Sequence, residues 1–326
     1  TSIPERLYDR TAMSHDGHGH RHEGTCGHGH GHLLPAAGLD RAMRWGVGLN
    51  LAFVVVELVA GLRASSLALV ADAGHNAGDV IGLLLAWGAA WLARRPPSRR
   101  FTWGLRRATI YAALGNAILL LTACGAILWE AAHRLRAPEP VGGPTVIAVA
   151  AIGVVINTLT ALLFLRGRGD ANVRGAFLHM AADAAVSAGV VAAGIAILAT
   201  GLAWIDPAVS IIVTLVIVAG TWGLFREGVD LALDAVPRGI DPAAITAALA
   251  ALPGVAEVHD LHFWGASTSE TSLTAHLVVP EIAEHGRVLA KAGELVRSRF
   301  AVAHATLQLE DEAAAAACPQ RPADTL

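Results

Sequence analysis

The sequence predicts an α-helical membrane protein of six transmembrane helices followed by a small soluble domain of order αββαβ. Three observations carry this. Hydrophobic residues make up 54% of the 326-residue chain and charged residues only 16%, with a mean hydropathy of +0.51, whereas soluble chains carry roughly 25% charged residues. The apolar excess fills residues 42–228 as six segments, each near the roughly 20 residues that a helix needs to cross a bilayer. After Val236-Pro237 the pattern changes to short alternating runs punctuated by turn residues, as in a small water-soluble domain.

Residues 1–41 read as a polar tail. It holds His15, His18, His20, His22, His28, His30 and His32 set among glycines. Such sequence cannot bury enough apolar surface to fold, and its imidazoles are suited to gathering metal loosely. Expression tags are usually uninterrupted His runs, so the interspersed pattern reads as a natural disordered tail. No short apolar stretch of the kind that directs secretion is expected here.

The six spans are expected at about 43–63, 67–93, 108–133, 144–166, 174–201 and 205–226, within a membrane domain of 42–236. Breaks fall at Arg94-Arg95-Pro96-Pro97, Pro138-Glu139-Pro140, Gly167-Arg168-Gly169-Asp170 and Asp206-Pro207, and Trp45, Trp91 and Trp204 lie near proposed ends, where interfacial aromatics belong. Arg94, Arg95, Arg99, Arg100, Arg106 and Arg107 crowd the second-to-third connection, and Arg166, Arg168 and Arg174 the fourth-to-fifth. Positive loops stay cytoplasmic. A multi-pass protein of the inner (plasma) membrane with both termini in the cytoplasm is expected.

The soluble domain, residues 237–312, is expected to open with Asp241-Pro242 capping a helix that ends at Pro253-Gly254. Strands follow at 255–264 and 271–279, then a helix at 283–300 and a strand at 304–309, the helices covering one face of a three-stranded sheet. Residues 313–326 read as disordered. Cys26, Cys124 and Cys318 are scattered and odd in number, which excludes a disulfide framework or a thiolate zinc finger. A net charge of −3 argues against a nucleic-acid partner.

The chemistry lies inside the membrane. The second span carries Asp72, His75 and Asp79, and the fifth carries His179 and Asp183. Each contains His-x-x-x-Asp, a spacing that puts imidazole and carboxylate on one helix face. An ionised carboxylate in mid-bilayer costs about 2.5–3.5 kcal/mol on insertion scales, so these groups should face partners within the bundle. Two such faces meeting offer two nitrogens and two oxygens, a set suited to tetrahedral Zn²⁺. Mg²⁺ would want octahedral oxygens and Cu⁺ would want sulfur. A helix-packing network of His and Asp is the competing account of a single motif; two mid-span copies favour metal. Both residue types titrate, so protons compete with metal. Asp72 serves either beside the ligands or as an entry carboxylate, and Glu57 lies either on a pathway or near the outer interface. Asn50, Asn116 and Asn157 read as interhelical hydrogen-bonding groups, and Gly74, Gly78, Gly115 and Gly189 as close-approach positions. Cys124 reads as packing.

These residues resemble the cation diffusion facilitator family of zinc/proton antiporters, in particular its bacterial zinc–cadmium–cobalt resistance branch. The similarity runs from LNLAFVVVELVAGL and SLALVADAGHNAGD through RRFTWGLRRATIYAALGNAILL, HMAADAAVSAGVV, DAVPRGID and GVAEVHDLHFWGASTSETSLTAHLVV to HATLQLE. It implies a homodimer with six spans per protomer and a cytoplasmic ferredoxin-like domain, and it assigns the transport site to His75, Asp79, His179 and Asp183. The paired HxxxD pattern goes with zinc in that family. The resemblance also implies a regulatory zinc site drawing on His259, His276 and Glu310, with His304 as a further candidate and Asp311 as a bridge. The residues themselves support less: His259 and His262 are an odd number apart, so they face opposite sides of a strand unless a bulge intervenes. His285 aligns with no ligand position. The second-to-third connection, Pro96 to Arg107, has no His, Asp or Glu, so no counterpart of the family's loop site is expected.

The expected function is export of Zn²⁺, with Cd²⁺ or Co²⁺ as further cargo, from the cytoplasm in exchange for protons by alternating access. Zinc is then both substrate and regulatory ligand, with no organic cofactor. Two other classes are considered. An intramembrane metallohydrolase would want a HExxH-type helix with a glutamate base, and none occurs. A membrane metal sensor would use the tail and the soluble domain and carry no flux.

Overall fold

A computed structural model describes residues 38–164 and 171–321, with side chains from 51–162 and 177–321. The His-rich tail, the Trp45 and Asn50 side chains and the arginines at 166, 168 and 174 lie outside the described side chains. Six long helices come first: α1 (Gly38–Arg63), α2 (Leu67–Ala93), α3 (Ala108–Arg136), α4 (Gly143–Phe164), α5 (Ala171–Thr200) and α6 (Ile205–Ala232). Among the described residues, five helices, α2 to α6, are long and apolar enough to cross a membrane; only part of α1 has described side chains.

The helices pack α4 on α5 and α3 on α6, with α2 in contact with α3, α5 and α6. Their shared core gathers Phe53, Leu69, Leu120, Cys124, Val146, Val190, Val213 and Ile217, and Cys124 is indeed a packing residue there. Outward-facing Leu, Ile, Val and Trp side chains on the same helices are exposed, as a lipid-facing surface requires. Close approach is carried by Gly78, as expected, and by Gly194, which the sequence did not single out. A Cβ on Gly194 of α5 would lie 2.7 Å from Ile147 of α4, and one on Gly78 of α2 would lie 3.0 Å from Leu120 of α3. Gly115 and Gly189 instead face open space: small residues occur on both faces of these helices, and the sequence alone does not say which face meets a neighbour.

The start of α2 is held by another helix. Ser66 caps it, accepting from the Leu69 amide at 3.3 Å. Asp206 in the first turn of α6 receives the Ser66 hydroxyl at 2.5 Å and the Leu67 amide at 2.7 Å. A buried carboxylate thus occupies the positive end of a helix, where unsatisfied amides collect.

After α6 come α7 (Pro242–Ala250), β1 (Glu257–Gly265), β2 (Thr271–Val278), a short 3₁₀ turn (Ile282–Glu284), α8 (His285–Phe300) and β3 (His304–Glu310). Strand order is β1-β2-β3, with β1 antiparallel and β3 parallel to β2. The domain is the expected ferredoxin-like αββαβ unit. Its core of Ile245, Leu249, Phe263, Leu273, Leu277, Val288 and Val296 joins the two helices to one face of the sheet. Asp241 caps α7 through the Ala244 amide at 3.2 Å.

The chain differs from expectation at its end. Instead of disorder from residue 313, a helix α9 spans Glu312–Ala317. Asp311 caps it through the Ala314 amide at 2.7 Å, and the alanine run that follows has the highest helix propensity available. Asp311 thus serves as a helix cap and is not among the four residues gathered at the cytoplasmic-domain cluster. Arg321 then clamps Glu257 of β1 with two contacts, Nε to Oε1 at 3.0 Å and Nη2 to Oε2 at 2.5 Å. The guanidinium holds the Glu257 carboxyl below its ordinary range, so the clamp is closed at neutral pH and opens as pH falls through that lowered value.

The arginine-rich connection between α2 and α3 docks on the soluble domain. Arg106 reaches Glu270 at 2.6 Å, Arg107 pairs with Asp234, and the Trp103 ring stands edge-on to Trp264 and His304. We expect Asp206→Ala to lower stability by about 1–3 kcal/mol, because the Ser66 hydroxyl and the Leu67 amide lose their buried acceptor. Asp206→Asn, which keeps one acceptor oxygen, should cost less; thermal unfolding of the purified protein measures both.

Candidate metal centres

The antiparallel helices α2 and α5 bring the two His-x-x-x-Asp faces together. One ligand atom from each of His75, Asp79, His179 and Asp183 can be chosen so that all four lie within 4.8 Å of one another. The shortest contacts run across the helices: His75 Nε2 is 3.2 Å from Asp183 Oδ1, and His179 Nε2 is 3.1 Å from Asp79 Oδ2. Within each motif the corresponding contacts are longer, 3.9 Å for His75–Asp79 and 3.7 Å for His179–Asp183. The two imidazoles stand edge to face at 5.8 Å. With metal–ligand bonds of about 2.0–2.2 Å, the edge of a zinc tetrahedron is about 3.3–3.6 Å. These four side chains therefore need only small adjustments to enclose one ion.

Exposure is graded across the site. The side chains of Asp183 and His75 are 3% and 15% exposed, those of Asp79 and His179 33% and 44%. The two exposed ligands lie nearer the ends of α2 and α5 that lead into the arginine-bearing connections.

Beside this layer, Glu57 is fully buried between the helices. Its Oε2 accepts from Asn76 Nδ2 at 3.1 Å. Asp72, equally buried, accepts from Ser187 Oγ at 2.8 Å. Neither carboxylate belongs to the four-ligand group.

A second cluster lies on the soluble domain. His259 of β1 and His276 of β2 are direct cross-strand partners, which sets their rings 5.2 Å apart, and Glu310 ends the neighbouring β3. His259 Nε2 lies 3.4 Å from Glu310 Oε2, and His276 Nδ1 lies 3.0 Å from Glu310 Oε1. Both His259 ring nitrogens and Glu310 Oε2 are buried without a hydrogen-bond partner, as metal-directed donor atoms would be. The fourth member is Cys318, whose Sγ lies 3.6 Å from His276 Nδ1. Two imidazoles, a carboxylate and a thiol are a donor set that fits zinc.

His304 is not brought to this cluster. It stands at the opposite end of β3 from Glu310, six residues or about 20 Å along a strand, and packs against Trp103 at 4.7 Å. The register between His259 and His262 does shift, with Asp260 in a left-handed conformation at φ 50°. That bulge turns Asp260 toward His276, at 3.5 Å, and leaves His262 exposed against Asp260 at 2.9 Å. His285 donates to the Val279 carbonyl at 2.9 Å, a structural role. Cys318 was not singled out as a ligand because it lies within a segment that reads as disordered; an Asp cap ahead of five alanines was the available signal.

Comparison with known proteins follows the same division. Residues 44–231 match the cation efflux transmembrane domain, and residues 237–312 match the cation efflux protein cytoplasmic domain. The chain belongs to the cation efflux family. Among curated members, the cation efflux system protein CzcD of Alcaligenes sp. (strain CT14) is 34% identical over 90% of this chain and 90% of its own length. The zinc transporter ZitB of Escherichia coli (strain K12) is 34% identical over 89% and 92%. The cadmium, cobalt and zinc/H(+)-K(+) antiporter of Bacillus subtilis (strain 168) is 31% identical over 80% and 86%. Cys318 lies beyond the residues that the cytoplasmic-domain family match covers.

Soft thiolate prefers soft metal. In protein lacking residues 1–34, Cd²⁺ should therefore produce a thiolate-to-metal absorption band in the ultraviolet. We expect Cys318→Ser to abolish that band and His304→Ala to retain it.

Proposed function

We propose that this cation efflux protein exports Zn²⁺ from the cytoplasm in exchange for protons, with His75, Asp79, His179 and Asp183 as its transport site. The observation that carries this is the pair of contacts across the helices. A proton on His75 Nε2 makes its 3.2 Å contact with Asp183 a hydrogen bond, and a proton on His179 Nε2 does the same toward Asp79 at 3.1 Å. A metal ion needs the lone pairs of those same nitrogens. Protons and metal thus compete for one set of atoms, and exchange follows from mutual exclusion.

The direction has two supports. The arginine-bearing connections belong on the cytoplasmic side, which places both termini there, in the inner membrane. The better exposed ligands, Asp79 and His179, lie toward that side. In this arrangement the site opens inward, and rocking of helices about a midplane site would open it outward. Zinc entering from the cytoplasm displaces protons inward; protons arriving from outside displace zinc outward.

The relatives named as zinc transporter and as cadmium, cobalt and zinc/H(+)-K(+) antiporter support metal efflux by antiport. They favour it over a flux-free sensor or a hydrolase, and the family is one of transporters rather than enzymes. The matched cytoplasmic domain supports a homodimer. His259, His276, Glu310 and Cys318 would hold a regulatory zinc there, tying cytoplasmic metal to the docked α2–α3 connection. The tail of residues 1–41 would raise the local supply of metal, and residues 42–236 and 237–312 would be the working domains.

Zinc uptake into vesicles under an imposed pH gradient tests the proposal. Asp183→Ala is expected to abolish flux while folding and dimerisation persist, and unaltered flux would overturn the site. Deleting residues 1–34 should weaken transport only at low zinc.

A further inference from the structure

Glu57 and Asp72 present a chemical problem that the four metal ligands do not solve. Both are completely buried within the membrane helices. Each has one oxygen satisfied, Glu57 Oε2 by Asn76 and Asp72 Oδ2 by Ser187. The other oxygens, Glu57 Oε1 and Asp72 Oδ1, are buried with no donor. Asn76, which donates to Glu57, lies one turn from Asp72 on the same face of α2, so the two half-satisfied carboxyl groups are neighbours. Ionised carboxylates are acceptors only, so a hydrogen bond between them exists only if one carries a proton. A single proton between them supplies the missing donor and removes one of two like charges from a dry interior.

The surroundings offer little else. On α2 and α5 the charged groups acting on Asp72 are His75 and Asp183. Where α4 approaches Ser187 it presents Gly153, whose added Cβ would sit 3.2 Å from the Ser187 hydroxyl oxygen, and α4 has no titratable residue between Gly143 and Phe164. The α3 side chain that meets α2 beside Asp72, Ile127 against Gly74, is apolar. Among the described residues, no lysine or arginine is ion-paired or hydrogen-bonded to either carboxyl.

Position gives the pair a role. Asp72 precedes His75 by three residues, about 4.5 Å along the helix, away from the end of α2 that carries the arginine connection. Its partners are tied to the metal layer: Asn76 follows His75 directly, and Ser187 lies one turn beyond Asp183 on α5. The pair therefore sits on the side of the metal ligands opposite their exposed edge.

We propose that Glu57 and Asp72 form a proton-carrying pair on the outer side of the transport site, through which protons from outside reach His75 and Asp183 as metal departs. A proton taken up by one carboxyl forms the shared hydrogen bond. Its transfer inward protonates a metal ligand and leaves the pair free to load again, so no proton is created or lost.

This inference rests on the antiport reading, and the two fail differently: if the native protein carries no zinc against protons, antiport itself falls. Given native exchange, Glu57→Gln and Asp72→Asn are compared in proteoliposomes in two modes, zinc movement driven by an outward-side acid gradient and exchange of internal for external zinc at equal pH. Amides keep the hydrogen bonding but cannot carry a proton. Gradient-driven flux is expected to fall at least ten-fold in both variants, while zinc–zinc exchange and calorimetric zinc affinity stay within two- to three-fold of native. Glu57→Asp should restore part of the driven flux. Unchanged driven flux overturns the proposal, and so does loss of both modes together, which would mark a structural role, or loss of zinc binding, which would place the pair in the metal site. If neither amide variant folds, infrared spectroscopy of the native protein decides. A protonated-carboxyl stretch at neutral pH that shifts in D₂O is expected, and its absence overturns the pairing.

Discussion

The constraint on which this structure depends is the cost of carrying carboxylates through a lipid bilayer. Glu57, Asp72, Asp183 and Asp206 are all buried among apolar helices, and each is tolerable only because a specific donor faces it. Asp206 is answered by the start of α2, Asp183 by His75, Asp72 by Ser187, and Glu57 by Asn76. Three of these partners belong to α2 and the fourth, Ser187, to α5. The polar residues therefore dictate where α2 must lie, in the midst of α3, α5 and α6, and the apolar core fills in around that arrangement.

With α2 fixed, the antiparallel run of α5 makes the site. Equal i, i+4 spacing on two helices of opposite direction places the histidine of one opposite the carboxylate of the other. Cross-pairing is then shorter than pairing within a helix. Under the proposed function, the contacts that join the two helices at this level are those a metal would replace. Loading and unloading would then change what joins α2 to α5, which is the coupling that alternating access requires.

The soluble domain is connected to this by the segment between α2 and α3. Two of its arginines, Arg106 and Arg107, are ion-paired to Glu270 and Asp234. The second metal cluster lies on the same sheet, held by β1, β2 and the end of β3, and closed by the returning C-terminal segment. Surface ion pairs of this kind contribute little to stability individually; their value is in register between the two parts.

Much was legible beforehand. Span positions followed from run length and composition, because the bilayer imposes one length scale on every helix, and α2 came out at the expected residues. The His75–Asp79 and His179–Asp183 pairs were legible because burial of charge in lipid is rare enough to single them out. The strands followed from alternation. Less visible were contacts between residues far apart in sequence. Nothing in the order of residues indicates that Glu57 meets Asn76, that Cys318 returns beside His276, or that His304 turns to Trp103. Glycine spacing likewise did not reveal which faces of the helices touch. By itself the sequence determined where helices and strands form, how they cross the membrane and which side chains carry the chemistry, since these depend on local periodicity and on the cost of burial. The tertiary structure alone decided which of those side chains come together, because that depends on three-dimensional distance between separate elements.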